Sequence, residues 1–430
     1  MSNTHLSDTR FADLALAEPL QLGINDAGYT FCTPIQAKTI PHLLDGKDIA
    51  GQAQTGTGKT VAFLVATMNR LLNIPPNEKR KPNQPLALIL APTRELAVQI
   101  HKDAEALNTH AGLKLGLVYG GANYEKQRTQ LGEGVDILIG TPGRIIDYFK
   151  QKIFNLRAIQ AMVLDEADRM FDLGFISDIR FLLRRMPDPD KRLNMLFSAT
   201  MSFRVTELAY EHMNNPTVIA VEAESVTADK VEQIVYYTAN NEKIPLLIGL
   251  FNKIHPPRAI IFVNTKRNGD KVWSYLEGNH LKAGLLSGDI PQKKRLRLLE
   301  DFQRGELPIL VATDVAARGL HIPEISHVFN FDLPQNAEDY VHRIGRTARA
   351  GASGMAISFA CEDSAFYLPE IEQYIGKKID SEHVDSELLT EPAPPVKRAK
   401  SSRPKQARGK SDNSSRRRRP RRKQSKPKPS

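Results

Sequence analysis

Cysteine is nearly absent: the 430 residues contain two, Cys32 and Cys361. They lie far apart and neither belongs to a CxxC pair, which argues against a zinc site or a disulfide framework and fits a reducing compartment. No run of 18 apolar residues occurs, so no membrane-spanning helix is expected. Residues 1–14 (MSNTHLSDTRFADL) hold neither a basic n-region nor an apolar h-region, so no secretory leader is expected. The expected location is the cytoplasm.

Excess positive charge is also missing from most of the chain. The whole sequence carries 59 Lys+Arg and 49 Asp+Glu, a net +10. Residues 391–430 hold 16 of those bases and only two acids, Glu391 and Asp412, leaving 43 bases and 47 acids in front of them. A uniformly basic nucleic-acid coat is excluded, and a mildly acidic globular body with a basic tail is implied. The tail has no large apolar residues in periodic array, so residues 386–430 are expected to be a disordered Lys/Arg-rich segment. It suits electrostatic holding of RNA, a nuclear-localisation tract, or solubility; the first reading is favoured.

The body alternates short apolar runs with amphipathic stretches. Residues 85–91, 135–139, 161–164, 259–263 and 308–312 read as buried strands, and 95–107 and 291–302 as helices. That order implies α/β lobes with parallel sheets covered on both faces. A weak internal repeat divides the body. LALILAPTRE (86–95) resembles RAIIFVNTKR (258–267), DILIGTPGR (136–144) resembles PILVATDVAARG (308–319), and KLGLVYGG (114–121) resembles KAGLLSGD (282–289). The first two matches pair Thr93 with Thr265 and Thr141 with Thr313, both 172 residues apart. Shared apolar strands are common by chance, but agreement in the polar residue after each strand points to two related lobes. The expected organisation is an N-terminal segment 1–38, a first lobe 39–219, a linker 220–230 and a second lobe 231–385.

Three segments carry chemistry. Ala53, Gln54, Thr55, Gly56, Thr57, Gly58, Lys59 and Thr60 form a phosphate-binding loop between a strand and a helix. Its glycines let backbone N–H groups curl around phosphates, Lys59 would reach the β/γ-phosphates, and Thr60 would ligate Mg²⁺. Ala53 departs from the usual leading glycine. The second segment, Val163-Leu-Asp-Glu-Ala-Asp168, ends a strand in carboxylates. Asp165 suits Mg²⁺, partly through water, and Glu166 suits activation of an attacking water. The third, Tyr340 to Arg349, clusters Arg343, Arg346 and Arg349 in a lobe without a phosphate loop. These arginines suit either a nucleotide held by the first lobe or nucleic-acid phosphates.

The set resembles the DEAD-box ATP-dependent RNA helicases of superfamily 2, over roughly residues 10–375. Asp165-Glu166-Ala167-Asp168 spells the family's name. The resemblance implies two tandem RecA-like lobes, RNA-stimulated ATP hydrolysis with ATP and Mg²⁺, and local unwinding of short RNA duplexes. Lys59, Asp165, Glu166, Arg346 and Arg349 would be the catalytic set. Gly28 to Gln36 looks like the adenine-reading Q motif, with Phe11, Tyr29 and Gln36 contributing, and Asp314 and Arg318 would complete the closed ATP site. RNA contacts are implied for Pro92, Thr93, Arg94, Gly121, Thr141, Gly143, Arg144, Thr265, Gln292, Arg295 and Thr313. Coupling of hydrolysis to strand separation is implied for Asp168, Ser198, Thr200 and His342.

Most members have Asp where His321 stands and Gly where Ala348 stands. Neither change removes a phosphate ligand, and a titratable His321 could make closure pH-sensitive. The stretch AARGLHIP, Asn330-Phe-Asp-Leu-Pro334 and the Arg-rich tail look most like the bacterial RNA-degradosome helicases. That likeness implies docking on an endoribonuclease scaffold and support of mRNA degradation; the core is expected to be monomeric. The competing expectations are a DNA helicase or translocase, a ribosome-assembly RNA helicase, and a non-catalytic RNA-binding adaptor.

Overall fold

A computed structural model describes residues 6–54, 56–221, 231–288, 290–317, 325–347 and 354–396. The expected linker beyond Val221, the tail beyond Val396, and Thr55, Arg318, His321, Ala348 and Arg349 lie outside the described residues.

Two seven-stranded sheets organise the chain. The first contains β1 (Ile49–Gln52), β2 (Ala87–Leu90), β3 (Leu115–Val118), β4 (Ile137–Gly140), β5 (Ala161–Leu164), β6 (Leu193–Ser198) and β7 (Thr217–Ala220). The second contains β8 (Val231–Tyr237), β9 (Ala259–Phe262), β10 (Ala283–Leu286), β11 (Ile309–Ala312), β12 (His327–Asn330), β13 (Gly354–Ala360) and β14 (Asp380–Glu382). All the pairings are parallel.

The strand orders are β3-β4-β2-β5-β6-β1-β7 and β10-β11-β9-β12-β13-β8-β14, the same order when the second sheet is renumbered from its first strand. The repeat therefore reflects duplicated topology: β2, β3 and β4 match β9, β10 and β11. Side chains alternate between the faces of each sheet. Ala87 and Ile89 join one apolar cluster of the first lobe while Leu88 and Leu90 join the other. Ile260 and Phe262 are likewise separated from Ala259 and Ile261. Helices cover both faces, as the continuous apolar strands require.

Two expected boundaries move. Residues 6–38 are not a separate segment, because Phe11, Leu20, Ile24 and Ile35 are built into the first lobe's core. The second lobe does not end at residue 385. Leu388 is buried in its core with Val384 and Leu389 packed nearby. The chain then runs on against the helix Lys266–Gly278, where Ala393 N–H donates to Asn279 Oδ1 (2.9 Å) and Val396 N–H donates to Ser274 O (3.0 Å). Gly249 and Gly278 admit this strap: a Cβ on Gly249 would lie 1.9 Å from Leu388 O, and one on Gly278 2.3 Å from Pro394 O. Proline content placed the boundary too early, because prolines suit an extended strap as well as disorder.

Candidate active site

Parallel strands bring their C-terminal ends to one edge, where ligands bind in such sheets. The strand order divides that edge. Adjacent β5, β6 and β1 deliver Asp165–Glu166, Ser198–Thr200 and the phosphate loop, whereas adjacent β3, β4 and β2 deliver Gly120–Gly121, Thr141–Arg144 and Pro92–Glu95. In the second lobe, β10, β11 and β9 lead to Gln292, Thr313 and Thr265. In the first lobe the nucleotide and RNA candidates thus occupy different halves of the sheet edge, whereas in the second the nucleotide candidate Asp314 follows β11 beside Thr313.

Lys59 opens the helix Lys59–Asn73, is buried, and donates from Nζ to Ala53 O (2.6 Å). Gly56 and Gly58 have φ of 88° and 92°, left-handed values that favour glycine. The loop around them includes Gln54, Thr57 and Thr60. Thr57 Oγ1 donates to Gln54 O (2.8 Å), and Thr60 follows Lys59 in the helix's first turn.

Gln36 is buried between this loop and its own helix start. Its Oε1 accepts the Thr33 N–H (2.8 Å) and its Nε2 donates to Gly58 O (2.9 Å). A Cβ on Gly58 would lie 2.4 Å from that Nε2. Gln36 therefore joins the base-reading segment to the phosphate loop, a link the sequence did not display. Tyr29 is half-buried, and Phe11 packs behind it with ring centroids 6.0 Å apart. Phe11 has no exposed surface and packs against Tyr29 from within the core.

Asp165 and Glu166 are both buried. Burial pushes the Asp165 carboxyl up to about 7, with Lys59 opposing the shift and Glu166 adding to it. Glu166 has φ +51°, a left-handed value uncommon for a residue with a side chain. Its Oε2 is buried without a hydrogen-bond partner. A buried lone oxygen in a strained backbone position makes Glu166 a candidate functional carboxylate.

Asp168 bonds to the Ser198–Thr200 segment. Its Oδ2 accepts from Ala199 N (3.1 Å), Thr200 N (3.0 Å) and Thr200 Oγ1 (3.2 Å), while its own N–H donates to Ser198 Oγ (3.2 Å). The expected coupling residues of the first lobe thus form one bonded unit. A cavity of about 770 Å³ is lined by Glu166, Asp168 and Thr200 from the first lobe and by His342 and Arg346 from the second.

Asp314 is held by Arg343 in this arrangement. Both its oxygens accept from Arg343, at 2.7 and 2.6 Å. Arg343 is buried and also donates to Asp332 O (2.6 Å) and Asn264 Oδ1 (2.8 Å). The arginine cluster therefore splits: Arg343 organises the second lobe from within, and Arg346 reaches the cavity. Spacing alone does not separate them.

The RNA candidates gather at helix starts. Thr93 Oγ1 accepts from Leu96 N (3.3 Å) and Thr265 Oγ1 from Asn268 N (3.1 Å), while Thr141 precedes the helix Pro142–Lys150. Pro92 and Thr313 also follow strand ends, and Gly143 has open space beside its Cα. Helix N-termini suit phosphate. Arg144 lies over the rings of Tyr124 (5.0 Å) and Tyr148 (5.4 Å). Arg94, Gly121, Gln292 and Arg295 meet across the lobes: Arg94 Nη1 donates to Gln292 Oε1 (3.4 Å), and a Cβ on Gly121 would lie 2.7 Å from Arg94 Nη1. Glu95, absent from the expected contacts, completes this cluster through Gln292 Nε2 (2.9 Å) and Arg295.

Comparison with known proteins decides the family. The DEAD/DEAH box helicase family matches residues 33–208, and the helicase conserved C-terminal domain matches residues 242–351. The chain belongs to the DEAD/DEAH box helicases. Its activity is ATP-dependent RNA unwinding. It is 60% identical over 395 residues to "ATP-dependent RNA helicase RhlB" of Shewanella halifaxensis, covering 92% of this chain and 91% of the relative. It is 57% identical over 408 residues to the protein of that name in Vibrio atlanticus, covering 95% and 94%. Among solved structures, S. cerevisiae Dbp5 bound to RNA and ADP BeF3 superimposes with a TM-score of 0.77 at 31% identity, covering 87% and 95%. Mss116p bound to ssRNA and AMP-PNP gives 0.77 at 28% identity, covering 91% and 84%. The duplicated sheets are tandem RecA-like lobes. No described helix is long and apolar enough to cross a membrane.

Proposed function

We propose that RNA, bound to the β3-β4-β2 and β10-β11-β9 halves of the sheet edges, draws the lobes together and switches on hydrolysis of ATP held on the other half. The observation that supports this most directly is that Glu166 and Arg346, from different lobes, line one cavity. Tyr29 would stack on the base and Gln36 would read its edge, with one amide N–H and one carbonyl lone pair to spare. Lys59 and the loop's backbone N–H groups would hold the phosphates.

The residues fit Mg²⁺: Asp165 is buried with a raised pKa that a cation would lower, and the neighbouring Glu166 has a buried oxygen without a partner. Mg²⁺ held by Thr60 and Asp165 would neutralise phosphate charge. Glu166 Oε2 would accept a proton from the attacking water. Arg346 would neutralise charge developing on the γ-phosphate, with Arg349 as a second cation. Asp168, bonded to Ser198 and Thr200, would carry the change to the RNA half. Phosphate-directed contacts at helix starts give little base preference. A strand bent across both lobes cannot stay paired, so short duplexes open.

ATPase assays with RNA and with DNA of one sequence test the substrate; equal stimulation by both would favour a DNA translocase. The further proposals are a cytoplasmic location, a role in mRNA degradation and docking on an endoribonuclease scaffold. They rest on the likeness to the degradosome helicases. Affinity capture against a purified scaffold endoribonuclease checks the docking, and absence of a complex would overturn it.

A further inference from the structure

The second lobe contains a counterpart of the nucleotide site, closed on itself. Lys59 is the first residue of the helix after β1, and Lys243 is the first residue of the helix Lys243–Ile254 after β8. β1 and β8 hold the same place in their sheets. Asp165 follows β5 and its N–H donates to Leu90 O, at the end of β2 (3.1 Å). Asp332 follows β12 and its N–H donates to Phe262 O, at the end of β9 (3.3 Å). Lys243 thus repeats the placement of the phosphate-loop lysine, and Asp332 stands near the place of Asp165 but one residue further past its strand, in a lobe with no glycine-rich loop.

Here the two side chains bind each other. Lys243 Nζ lies 2.6 Å from Asp332 Oδ1, with exposures of 6% and 10%, too little for a phosphate to enter between them. The lysine also sits over the Phe331 ring (4.3 Å) and near Cys361 Sγ (3.9 Å). Asp332 Oδ2 accepts from Asn264 N (2.9 Å) and Asn268 Nδ2 (2.9 Å), residues on either side of Thr265. Its backbone carbonyl accepts from Arg343 Nη1 (2.6 Å), and Arg343 grips Asp314 and Asn264. β9 and β12 are neighbours, so Asp332 stands where the RNA half of the edge meets the arginine segment.

We propose that Lys243 and Asp332 are positioning residues that relay RNA contact at Thr265 to the Arg343–Arg346 segment. The proposal rests on the RNA and nucleotide roles given above. A buried ion pair holds its geometry because displacing either partner strands a charge. Movement of the Thr265 loop on RNA would therefore move Asp332 and Arg343 together.

The test measures binding of a fluorescein-labelled oligouridine to the full chain, with and without AMP-PNP, and mant-ADP binding without RNA. AMP-PNP should tighten RNA binding by the wild type. Lys243→Met should cut that enhancement about tenfold, while each ligand's separate affinity stays within about twofold. Asn268→Ala removes one bond and leaves the ion pair, so it should fold like the wild type and cut the enhancement about threefold. A purely structural role would lower thermal stability without changing the enhancement. An unchanged enhancement in folded Lys243→Met, or in Asn268→Ala should Lys243→Met not fold, overturns the relay. No enhancement in the wild type would instead refute the proposed function, and the relay with it.

Discussion

Glu95 of the first lobe and Arg295 of the second form an ion pair at 2.7 Å, with side-chain exposures of 7% and 13%. Burial lowers the Arg295 pKa, and Glu95 opposes that shift. Arg295 Nη2 also donates to Ala316 O (2.7 Å), three residues beyond Thr313. The pair joins two segments proposed to contact RNA, and removing either partner strands the other charge. Arg295→Ala should raise the RNA concentration for half-maximal ATPase stimulation by about tenfold or more, equivalent to about 1.4 kcal/mol. RNA titration of ATPase rates checks this. The charge-swapped double variant Glu95→Arg/Arg295→Glu should recover part of the loss.

Glu166→Gln removes the proposed base and keeps the side chain's shape. Turnover should fall about 10²- to 10⁴-fold. Nucleotide and RNA binding should persist in fluorescence titrations. Lys59→Ala should instead lose nucleotide affinity, because its ammonium is the loop's compact charge for phosphate. Near-normal ATPase activity in Glu166→Gln would show that another group activates the water.

Among the described residues, the hydroxyls of Ser198 and Thr200 bond to Asp168, and neither bonds to the catalytic oxygens. Ser198→Ala/Thr200→Ala should keep RNA-stimulated ATPase within about threefold while unwinding falls about tenfold or more, the mark of a gating defect. A strand-displacement assay run beside the ATPase assay separates the two effects.

The strap 386–396 makes two truncations differ. Ending the chain after Asp385 removes buried Leu388, whose burial contributes about 1.5–3 kcal/mol, and uncovers the core around Gly249. Its Tm should fall by several degrees in calorimetry. Ending it after Val396 removes only the basic segment and should leave Tm unchanged. That second truncation should weaken RNA binding and flatten its salt dependence, by about 0.7 log units per log unit of salt for each RNA phosphate that the tail had neutralised.

Burial tends to raise the Asp332 pKa, but Lys243, Asn268 and Asn264 more than offset it, so the net shift is downward. A carboxylate with a depressed folded pKa contributes stability above its unfolded value, about 3.9. That contribution is lost as pH falls through the lower folded value. Lys243→Met removes the main cause of depression. Its urea midpoint should be lower than the wild type's near neutrality, and the difference should shrink below about pH 4. A constant difference down to about pH 2 would show that the loss is one of packing.

Much of the candidate site was legible because phosphate chemistry demands particular residues at short spacing. Gly56, Gly58, Lys59 and Thr60 are local in sequence, as are Asp165 and Glu166. The paired threonines were legible as a repeat, and they mark helix starts after matching strands. Arg343 and Arg346 were not separable, because which one turns inward depends on Asp314, Asn264 and Asp332, all distant in sequence. Lys243, and the pairing of Glu95 with Arg295, were missed for the same reason: a charged residue opening a helix looks solvated until its partner is placed.

The sequence alone determined the phosphate loop, the acidic strand end, the family and the duplicated α/β order. Each follows from local backbone needs, from apolar periodicity or from residue-by-residue likeness. Only the tertiary structure decided that the strand order divides the first lobe's candidate residues between two halves of one edge, that Phe11 packs behind Tyr29, and that a strap extends the second lobe to Val396. It alone also paired Glu95 with Arg295 and Lys243 with Asp332. Those pairings join residues far apart in the chain, and only packing decides which distant charges share a dry site.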